Sequence, residues 1–250
     1  MAAPLEGYAS AASVAPGDAI DFHLRADQAH RNFRLAIYRR ASGDTLVHDS
    51  AGTAFVPGPQ DDAALAVSGC DWPPDPQCRT LVAPDWKSGY YVAVATSNDA
   101  SCTLPFIVRA GAPGAAGILL KLSDTTAQAY NAWGGFSFYS APPATTVSFD
   151  RPADVGLYEI YQLPFLRWAE ASGVTFDVCS SLDLHVNPRI LDGYRLFVSL
   201  GHDEYWSLEM RDQVEAFIAA GGNAVFFSAN TCYWQIRLEL GNGSRRRRNC

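Results

Sequence analysis

A short segment with three adjacent ionisable side chains is the strongest candidate for chemistry in this sequence. It is the hexapeptide Gly-His-Asp-Glu-Tyr-Trp at 201–206, in which His202, Asp203 and Glu204 supply an imidazole and two carboxylates. Such a group can bind a metal or transfer protons. It can also serve only to cap the helix that begins near Ser207, because the helix dipole favours anions at its N-terminus. Residue types and position favour the first interpretation, so we predict that this segment is the functional centre.

Two cysteines are competing candidates for a nucleophile. Cys179 and Cys232 each follow a predicted strand, and a cysteine hydrolase needs a histidine within hydrogen-bond reach of the thiol. Neither cysteine lies in the tight Gly-x-Ser/Cys-x-Gly turn that exposes a nucleophile between a strand and a helix. Buried, inert thiols are the favoured interpretation of both. Cys70 and Cys78 flank a proline-rich loop and could be bridged if oxidised, but unpaired thiols are favoured in the cytoplasm.

The first 110 residues are predicted to form an antiparallel β-sandwich of the immunoglobulin-like kind. Apolar residues alternate with polar ones in short runs, and turns rich in Pro, Gly, Asp and Ser separate the runs. In one run Ile20, Phe22 and Leu24 share a face, and a later run at 90–95 begins with two tyrosines. Residues 1–110 are therefore assigned to a sandwich domain.

Residues 118–250 are predicted to form a second domain of the α/β class, after a linker at 110–117 that is rich in Ala, Gly and Pro. Strands and helices alternate there in the order typical of a doubly wound parallel sheet. Such a sheet usually has five or more strands, so we expect the domain to be incomplete at its C-terminal end. The predicted strands are 118–122, 174–178, 194–200 and 223–227, and the predicted helices are 157–171 and 207–220.

Three segments should meet at one edge of this sheet. Segments 130–135 and 228–234 follow predicted strands, as 201–206 does, and all three are rich in aromatic and hydrogen-bonding side chains. Ligands of open parallel sheets bind outside the carboxyl ends of the strands. The sequence therefore predicts a single site built from these segments.

Composition excludes some classes of function. A net charge of −7 argues against a general nucleic-acid-binding surface. The four arginines at 245–248 are the local exception, and we interpret them as a solvated end. No stretch approaches the ~20 apolar residues that cross a bilayer, and the N-terminus lacks the pattern of a signal peptide. We expect a cytoplasmic protein that binds neither nucleic acid nor membrane.

Several collinear blocks resemble the large (beta) subunit of N,N-dimethylformamidase and its relatives. The blocks extend over nearly the whole chain, and together they are specific although each alone is weak. They are GYAS at 7–10, VAPGD at 14–18, YNAWGG at 130–135, SFDRP at 148–152, GHDEYW at 201–206, MRD at 210–212, FIAAGGN at 217–223 and NTCYWQ at 230–235.

The resemblance implies a metal centre. It implies a β-sandwich followed by a domain like that of the glutamine amidotransferases, with one iron ion held by two tyrosines and one glutamate. Glu204 matches the carboxylate ligand and Tyr130 matches one tyrosine. The other tyrosine should be Tyr90 or Tyr91. Alternation along the strand favours Tyr91, since Tyr90 shares its face with the bulkier residues that suit a sandwich core, whereas small residues beside Tyr91 would admit a neighbouring domain.

The chemistry that the resemblance implies is amide hydrolysis. Phenolate and carboxylate are hard ligands that suit ferric iron, which would activate water to cleave the C–N bond of a small N-substituted amide. His202 would orient a ligand or stabilise the oxyanion, and Asn230 would donate a further hydrogen bond. The resemblance also implies a small partner subunit and allows a homo-oligomer. The rival hypotheses are a non-catalytic module that binds carbohydrate or protein, with a degenerate α/β domain, and an amidotransferase-like enzyme that uses Cys179 or Cys232.

Overall fold

The N-terminal part of the chain is built from two β-sheets. A computed structural model describes residues 5–26, 30–55, 68–97, 100–240 and 247–249. One sheet has three strands in the order β1-β3-β6, and the other has five in the order β2-β8-β7-β4-β5. The strands are β1 (Leu5–Ala9), β2 (Ser13–Val14), β3 (Ala19–Ala26), β4 (His30–Arg40), β5 (Thr45–Phe55), β6 (Arg79–Leu81), β7 (Gly89–Ser97) and β8 (Ala100–Val108), with a 3-10 turn at Pro76–Cys78.

An apolar core fills the space between these two sheets. Ile20, Phe22 and Leu24 of β3 are buried against side chains of β4, β7 and β8, as period-two alternation requires. The rings of Phe22 and Phe106 meet edge to face with their centroids 5.7 Å apart. The arrangement is compatible with the predicted sandwich.

The second part of the chain contains a parallel sheet of four strands in the order β11-β9-β12-β14. Every neighbouring pair in it runs parallel. The strands of this part are β9 (Ile118–Leu122), β10 (Val147–Ser148), β11 (Asp177–Ser180), β12 (Leu196–His202), β13 (Tyr205–Ser207), β14 (Asn223–Ala229), β15 (Trp234–Ile236), β16 (Leu238–Leu240) and β17 (Arg247–Asn249). The helices are α1 (Asp124–Tyr130), α2 (Leu163–Ala171), α3 (Ser181–Val186) and α4 (Leu208–Ala219), with a 3-10 turn at Trp133–Gly135 and a π-helical turn at Tyr158–Gln162 before α2.

Both faces of the parallel sheet are covered. One face packs against the π-helical turn, α2 and the outer side of the five-stranded sheet. The other packs against α3 and α4, where Leu184, Met210 and Val214 are buried. Helices on both faces are expected of a doubly wound sheet; the finer likeness to glutamine amidotransferases stays a prediction.

The predicted orientation of β7 is wrong. Tyr91 lies inside the sandwich core with Ala93 and Ala95, whereas Tyr90 and Val92 pack against the parallel sheet. Side-chain bulk did not predict which face of β7 enters the sandwich core, because the contact between the two parts of the chain is itself an apolar core. The small residues beside Tyr91 let the two sheets of the sandwich approach each other.

Other elements differ from the prediction in detail. The helix predicted to start after Ser207 is confirmed, and the Ser207 hydroxyl accepts a hydrogen bond from the Met210 amide at 3.3 Å. The strand predicted at 174–178 begins only at Asp177. Helices α1 and α3 were not predicted because they have seven and six residues, too short for a clear apolar period.

Small sheets complete the second part. β13 pairs parallel with β15, and β17 lies between β10 and β16 in an antiparallel sheet. Arg247 and Arg248 of the arginine run belong to β17, while residues 245 and 246 lie outside the described ranges. Among the described helices, none has the length and apolar character that crossing a membrane requires.

Candidate functional site

The helix that carries Tyr130 is fastened directly to the His-Asp-Glu-Tyr segment. β9 and β12 are neighbours in the sheet, and α1 starts at the carboxyl end of β9. The Thr126 hydroxyl accepts hydrogen bonds from the amides of Glu204 and Tyr205 at 3.0 and 3.3 Å. The Thr125 hydroxyl donates to the Tyr205 carbonyl at 2.7 Å. These bonds fix the last residue of α1, Tyr130, opposite Glu204.

Three polar side chains converge on one oxygen atom of Glu204, and a fourth is bonded to one of the three. The Tyr130 hydroxyl donates to Glu204 Oε2 at 2.8 Å, and the Tyr139 hydroxyl donates to the same oxygen at 3.2 Å. His202 Nε2 lies 3.2 Å from that oxygen and 3.0 Å from the Tyr130 hydroxyl. The Tyr205 hydroxyl donates to the Tyr139 hydroxyl at 2.9 Å. We call these five side chains the tyrosine-glutamate cluster.

Burial and packing give this cluster its electrostatic character. Glu204 is buried, and the rings of Tyr130 and Tyr139 stack with their centroids 4.3 Å apart. Loss of solvation raises the pKa of Tyr130 well above its ordinary value, and its bonds to Tyr139 and Glu204 act in the same direction. The pKa of Tyr205 is raised for similar reasons, burial first. These two phenols therefore hold their protons at neutral pH.

The orientation of His202 directs one ring nitrogen into the cluster. Its Nδ1 lies 3.3 Å from the carbonyl oxygen of Ala229, the last residue of β14. A carbonyl can only accept a hydrogen bond, so Nδ1 carries a proton. Nε2 of His202 is left facing the Tyr130 hydroxyl and Glu204 Oε2.

The structure brings three of the predicted metal-site and catalytic residues together but leaves Tyr91 elsewhere. Tyr130, His202 and Glu204 lie within hydrogen-bonding distance of one another, as described above. Tyr91 is fully buried in the sandwich, where its hydroxyl donates to the Lys87 carbonyl at 2.7 Å and its ring stacks on Trp86. The alternative, Tyr90, is also absent from the cluster, since its ring stacks on Tyr158 at 5.3 Å.

Tyr139 is the site residue that sequence reasoning missed. The 3-10 turn Trp133–Gly135 reverses the chain after α1, with Gly134 at a positive φ of 75°. The Phe138 amide then donates to the Ala129 carbonyl at 3.0 Å, which returns the chain beside the end of α1. The glycine pair at 134 and 135 was the available signal, because positive φ is a glycine conformation typical of tight turns.

Asn230 lies next to the cluster without joining it. It directly follows Ala229, the residue that contacts His202, and it has a positive φ of 51°. Its side chain is exposed and makes no hydrogen bond to the described members of the cluster. The predicted role of Asn230 as a donor to the reacting amide therefore stays a prediction.

Neither cysteine is arranged as a nucleophile. Cys179 is fully buried in the apolar cluster between the sheet and α3, and burial raises the pKa of its thiol well above the ordinary value. Cys232 is partly buried, and the pKa of its thiol is also raised. A reactive cysteine needs a lowered thiol pKa, so the inert interpretation is favoured. Cys70 and Cys78 are free thiols.

Any cation at this site would require the phenols. Within the described residues, no group of three His, Cys, Asp or Glu side chains could hold a metal ion. The tyrosine-glutamate cluster offers only one carboxylate and one imidazole, and the other polar atoms are phenol oxygens. It is thus an oxygen-rich group that could suit a hard cation.

Fold and site together define a protein in which a β-sandwich packs on a parallel sheet and tyrosines meet a glutamate at the carboxyl edge of that sheet. The chain belongs to the family described as "N,N-dimethylformamidase beta subunit-like, C-terminal", whose model matches residues 31–250. This confirms the resemblance found in the sequence. The N,N-dimethylformamidase beta subunit of Alcaligenes sp. is 27% identical over 88 residues, which cover 33% of this chain and 12% of that protein.

A solved structure matches over a longer part of the chain but only loosely. It is a cycloisomaltooligosaccharide glucanotransferase of Paenibacillus sp. in complex with cycloisomaltoheptaose. The match covers 88% of this chain and 27% of the other, with 11% identity and a TM-score of 0.28. That score is too low to indicate a shared fold.

Proposed function

We propose that this chain carries the iron centre of an amide hydrolase that cleaves the C–N bond of a small N-substituted amide. The family relationship supports the reaction class. The observation that carries the proposal is the convergence of the Tyr130 and Tyr139 hydroxyls on Glu204 Oε2, at 2.8 and 3.2 Å. Tyr139 therefore replaces Tyr91 as the second tyrosine of the proposed ligand set, beside Tyr130 and Glu204.

The residues present fit such an ion. Oxygen ligands lie about 2.0–2.2 Å from a small cation, so neighbouring ligands around it are roughly 2.8–3.1 Å apart. The spacings in the tyrosine-glutamate cluster lie close to this range. Two phenols and a carboxylate are hard donors, which suit ferric iron better than softer metals. Tyr139 is 51% exposed, so a small molecule can reach this side of the cluster.

Bound iron would polarise an amide carbonyl and lower the pKa of water. Side chains of the protein would then transfer the protons. His202 Nε2 faces the site while Nδ1 is held by the Ala229 carbonyl. His202 can take a proton from the attacking water at Nε2 and return it to the departing amine nitrogen. Tyr205, bonded to Tyr139, holds that phenol in position.

The proposal extends to a partner. The curated relative from Alcaligenes sp. is described as a beta subunit, and this chain matches only a small share of it. We infer that the active enzyme contains further polypeptide, including a separate small subunit. The substrate class proposed is a small amide of the dimethylformamide type.

Iron binding tests the proposal directly. Protein produced with added iron should contain about one iron per chain and show a visible absorption band from tyrosinate bound to iron. Tyr139→Phe, Tyr130→Phe and Glu204→Gln should each lose the band and most of the iron. Tyr91→Phe is the matched control, because it removes a buried hydroxyl from the sandwich, and it should retain both. Iron-free, colourless wild-type protein would contradict the proposal, as would loss of iron in Tyr91→Phe with retention in Tyr139→Phe.

A further inference from the structure

Asp203 lies between His202 and Glu204, and its carboxylate, its amide and its carbonyl all make hydrogen bonds. Its Oδ1 accepts from Lys121 Nζ at 2.6 Å, and its Oδ2 accepts from the Ser199 hydroxyl at 2.5 Å. Its amide donates to the Ala229 carbonyl at 3.2 Å. Its carbonyl accepts from the Trp206 indole and from the Cys232 amide, both at 3.0 Å. These bonds come from β9, β12, β13, β14 and the loop that follows β14.

Lys121 is an unusual residue for the centre of a parallel sheet. It lies in β9 beside Ser199 of β12, and both Lys121 and Asp203 have side chains with no exposure to solvent. Its ammonium group lies 4.6 Å from the centre of the Trp206 ring and 3.3 Å from the Ser181 hydroxyl. The neighbours Leu120 and Leu122 point to the opposite face of the sheet, toward the sandwich. A charge in such surroundings requires a partner, and Asp203 provides it.

The ion pair and the tyrosine-glutamate cluster engage alternate residues of one segment. Asp203 is bonded to Lys121, while the flanking His202 and Glu204 both lie within hydrogen-bonding distance of the Tyr130 hydroxyl. A rotation of this segment about its axis would withdraw Asp203 from Lys121 and Glu204 from Tyr130 together. Buried ion pairs contribute little net stability compared with apolar residues of equal volume, but they can specify one geometry.

We propose that Lys121 and Asp203 are positioning residues, which lock the 202–204 segment so that His202 and Glu204 face Tyr130 and Tyr139. This inference rests on the proposed function only in using iron as a probe. Among the described residues, neither side chain of the ion pair bonds to a side chain of the cluster, so the pair acts through the backbone on either side of Asp203. Partners that orient metal ligands from behind typically contribute about 10–100-fold to metal affinity.

A charge-free replacement of the pair separates positioning from stability. Lys121→Met combined with Asp203→Leu removes both charges and roughly keeps the volume, so the protein should fold with a melting temperature near that of the wild type. We expect its iron affinity to fall at least about tenfold. In its crystal structure, Glu204 Oε2 should no longer lie within hydrogen-bond distance of both tyrosines. Unchanged iron affinity with an unchanged cluster overturns the proposal.

Arg109→Met is the matched control. Arg109 forms an ion pair with Asp183 at 2.7 Å, between the end of the sandwich and α3. Its loss should leave iron affinity and the geometry of the cluster unchanged. A similar fall in iron affinity in Arg109→Met would mean that general destabilisation explains the effect, which also overturns the proposal.

Two further measurements test the proposal if the double variant does not fold or if the wild type binds no iron. If the double variant does not fold, Ser199→Ala is used instead, because it removes the bond to Asp203 Oδ2, together with a 3.2 Å bond to the Ser228 hydroxyl, and leaves both charges of the ion pair in place. We then expect a several-fold loss of iron affinity, and no loss overturns the proposal. If the wild type binds no iron, the proposed function fails while the positioning inference is still decided by structure. If Tyr130 stayed within hydrogen-bonding distance of both His202 and Glu204 in the variant, the inference would then be refuted.

Discussion

At the scale of single residues, the carboxyl group of Asp124 is buried where its ionised form is poorly solvated. It lies at the start of α1 and is 2% exposed, and its Oδ2 has no hydrogen-bond partner among the described residues. Burial raises its pKa to about 6 from an ordinary 3.8, although the Ser181 amide donates to its other oxygen. It lines a small cavity of about 40 Å³ together with Tyr90 and Tyr158. Ionisation of Asp124 therefore lowers the stability of the folded protein.

Asp124→Asn should make the protein more stable at neutral pH. A carboxyl with a raised pKa in the folded state contributes its full stability below the unfolded pKa, and this contribution is lost as pH rises through the folded value. Between pH about 4 and 6 the wild type should thus lose stability that the variant keeps. The advantage of the variant should reach up to about 3 kcal/mol at pH 7.5 and be smaller at pH 5.

Urea unfolding of both proteins at pH 5 and 7.5 measures this difference. Asp192→Asn provides the control, because Asp192 is exposed in its pair with Arg189 and should show no such dependence. An Asp124→Asn protein that is no more stable than the wild type at pH 7.5 would show that the buried carboxyl is compensated in another way.

The sequence predicted some site residues because their position follows from strand order alone. His202 ends β12 and Glu204 lies just beyond it, while Tyr130 ends the helix that follows β9. Neighbouring parallel strands bring such residues together regardless of how the intervening loops are folded. Tyr139 could not be found this way, since its place depends on a turn at Gly134 that reverses the chain. Tyr91 was misplaced because alternation defines two faces of a strand but not what each face meets.

At the scale of elements, the π-helical turn packs closely against the end of β12, at the residue that precedes the 202–204 segment. Gly201 has a positive φ of 82°, and a Cβ atom built there would lie 2.9 Å from Gln162 Cγ and 3.1 Å from Tyr161 Cβ. π-helical turns are often found beside functional sites. Here the turn packs directly against the residue that precedes His202.

Gly201→Ala should therefore damage both stability and the site. Gly221→Ala is a matched control, because Gly221 also has a positive φ, 95°, but has open space where its Cβ would be. The control should lose about 1–2 kcal/mol from backbone conformation alone. Gly201→Ala should lose a further 1–3 kcal/mol or so, because the turn must move. It should also bind iron more weakly.

Chemical denaturation and iron titration of both variants check this prediction. Equal losses of stability, with iron affinity unchanged in both, would mean that the π-helical turn yields without disturbing His202. In that case the turn would not help to fix the site.

At the scale of the whole molecule, the sandwich and the parallel sheet share one apolar core. Tyr90, Val92 and Ile107 of the sandwich pack among leucines and valines of β9, β11 and β12. The Arg40–Glu159 pair, at 3.1 Å, and the Arg109–Asp183 pair join the same two parts. The tyrosine-glutamate cluster lies wholly in the second part, at 130–205. The described residues of the sandwich contribute no side chain to the cluster, so we expect the sandwich to act on the site through this shared core.

Two adjacent tyrosines allow a test of this coupling. We expect the wild type to unfold in a single calorimetric transition, because neither part buries its facing surface alone. Tyr90→Ala removes a ring from the shared core, so it should cost about 3–5 kcal/mol and separate the sandwich from the parallel sheet, giving two transitions. Tyr91→Ala removes an equally buried ring from within the sandwich and should lower the melting temperature while keeping one transition. Two transitions in the wild type, or the same behaviour in both variants, would show that the shared core does not couple the two parts.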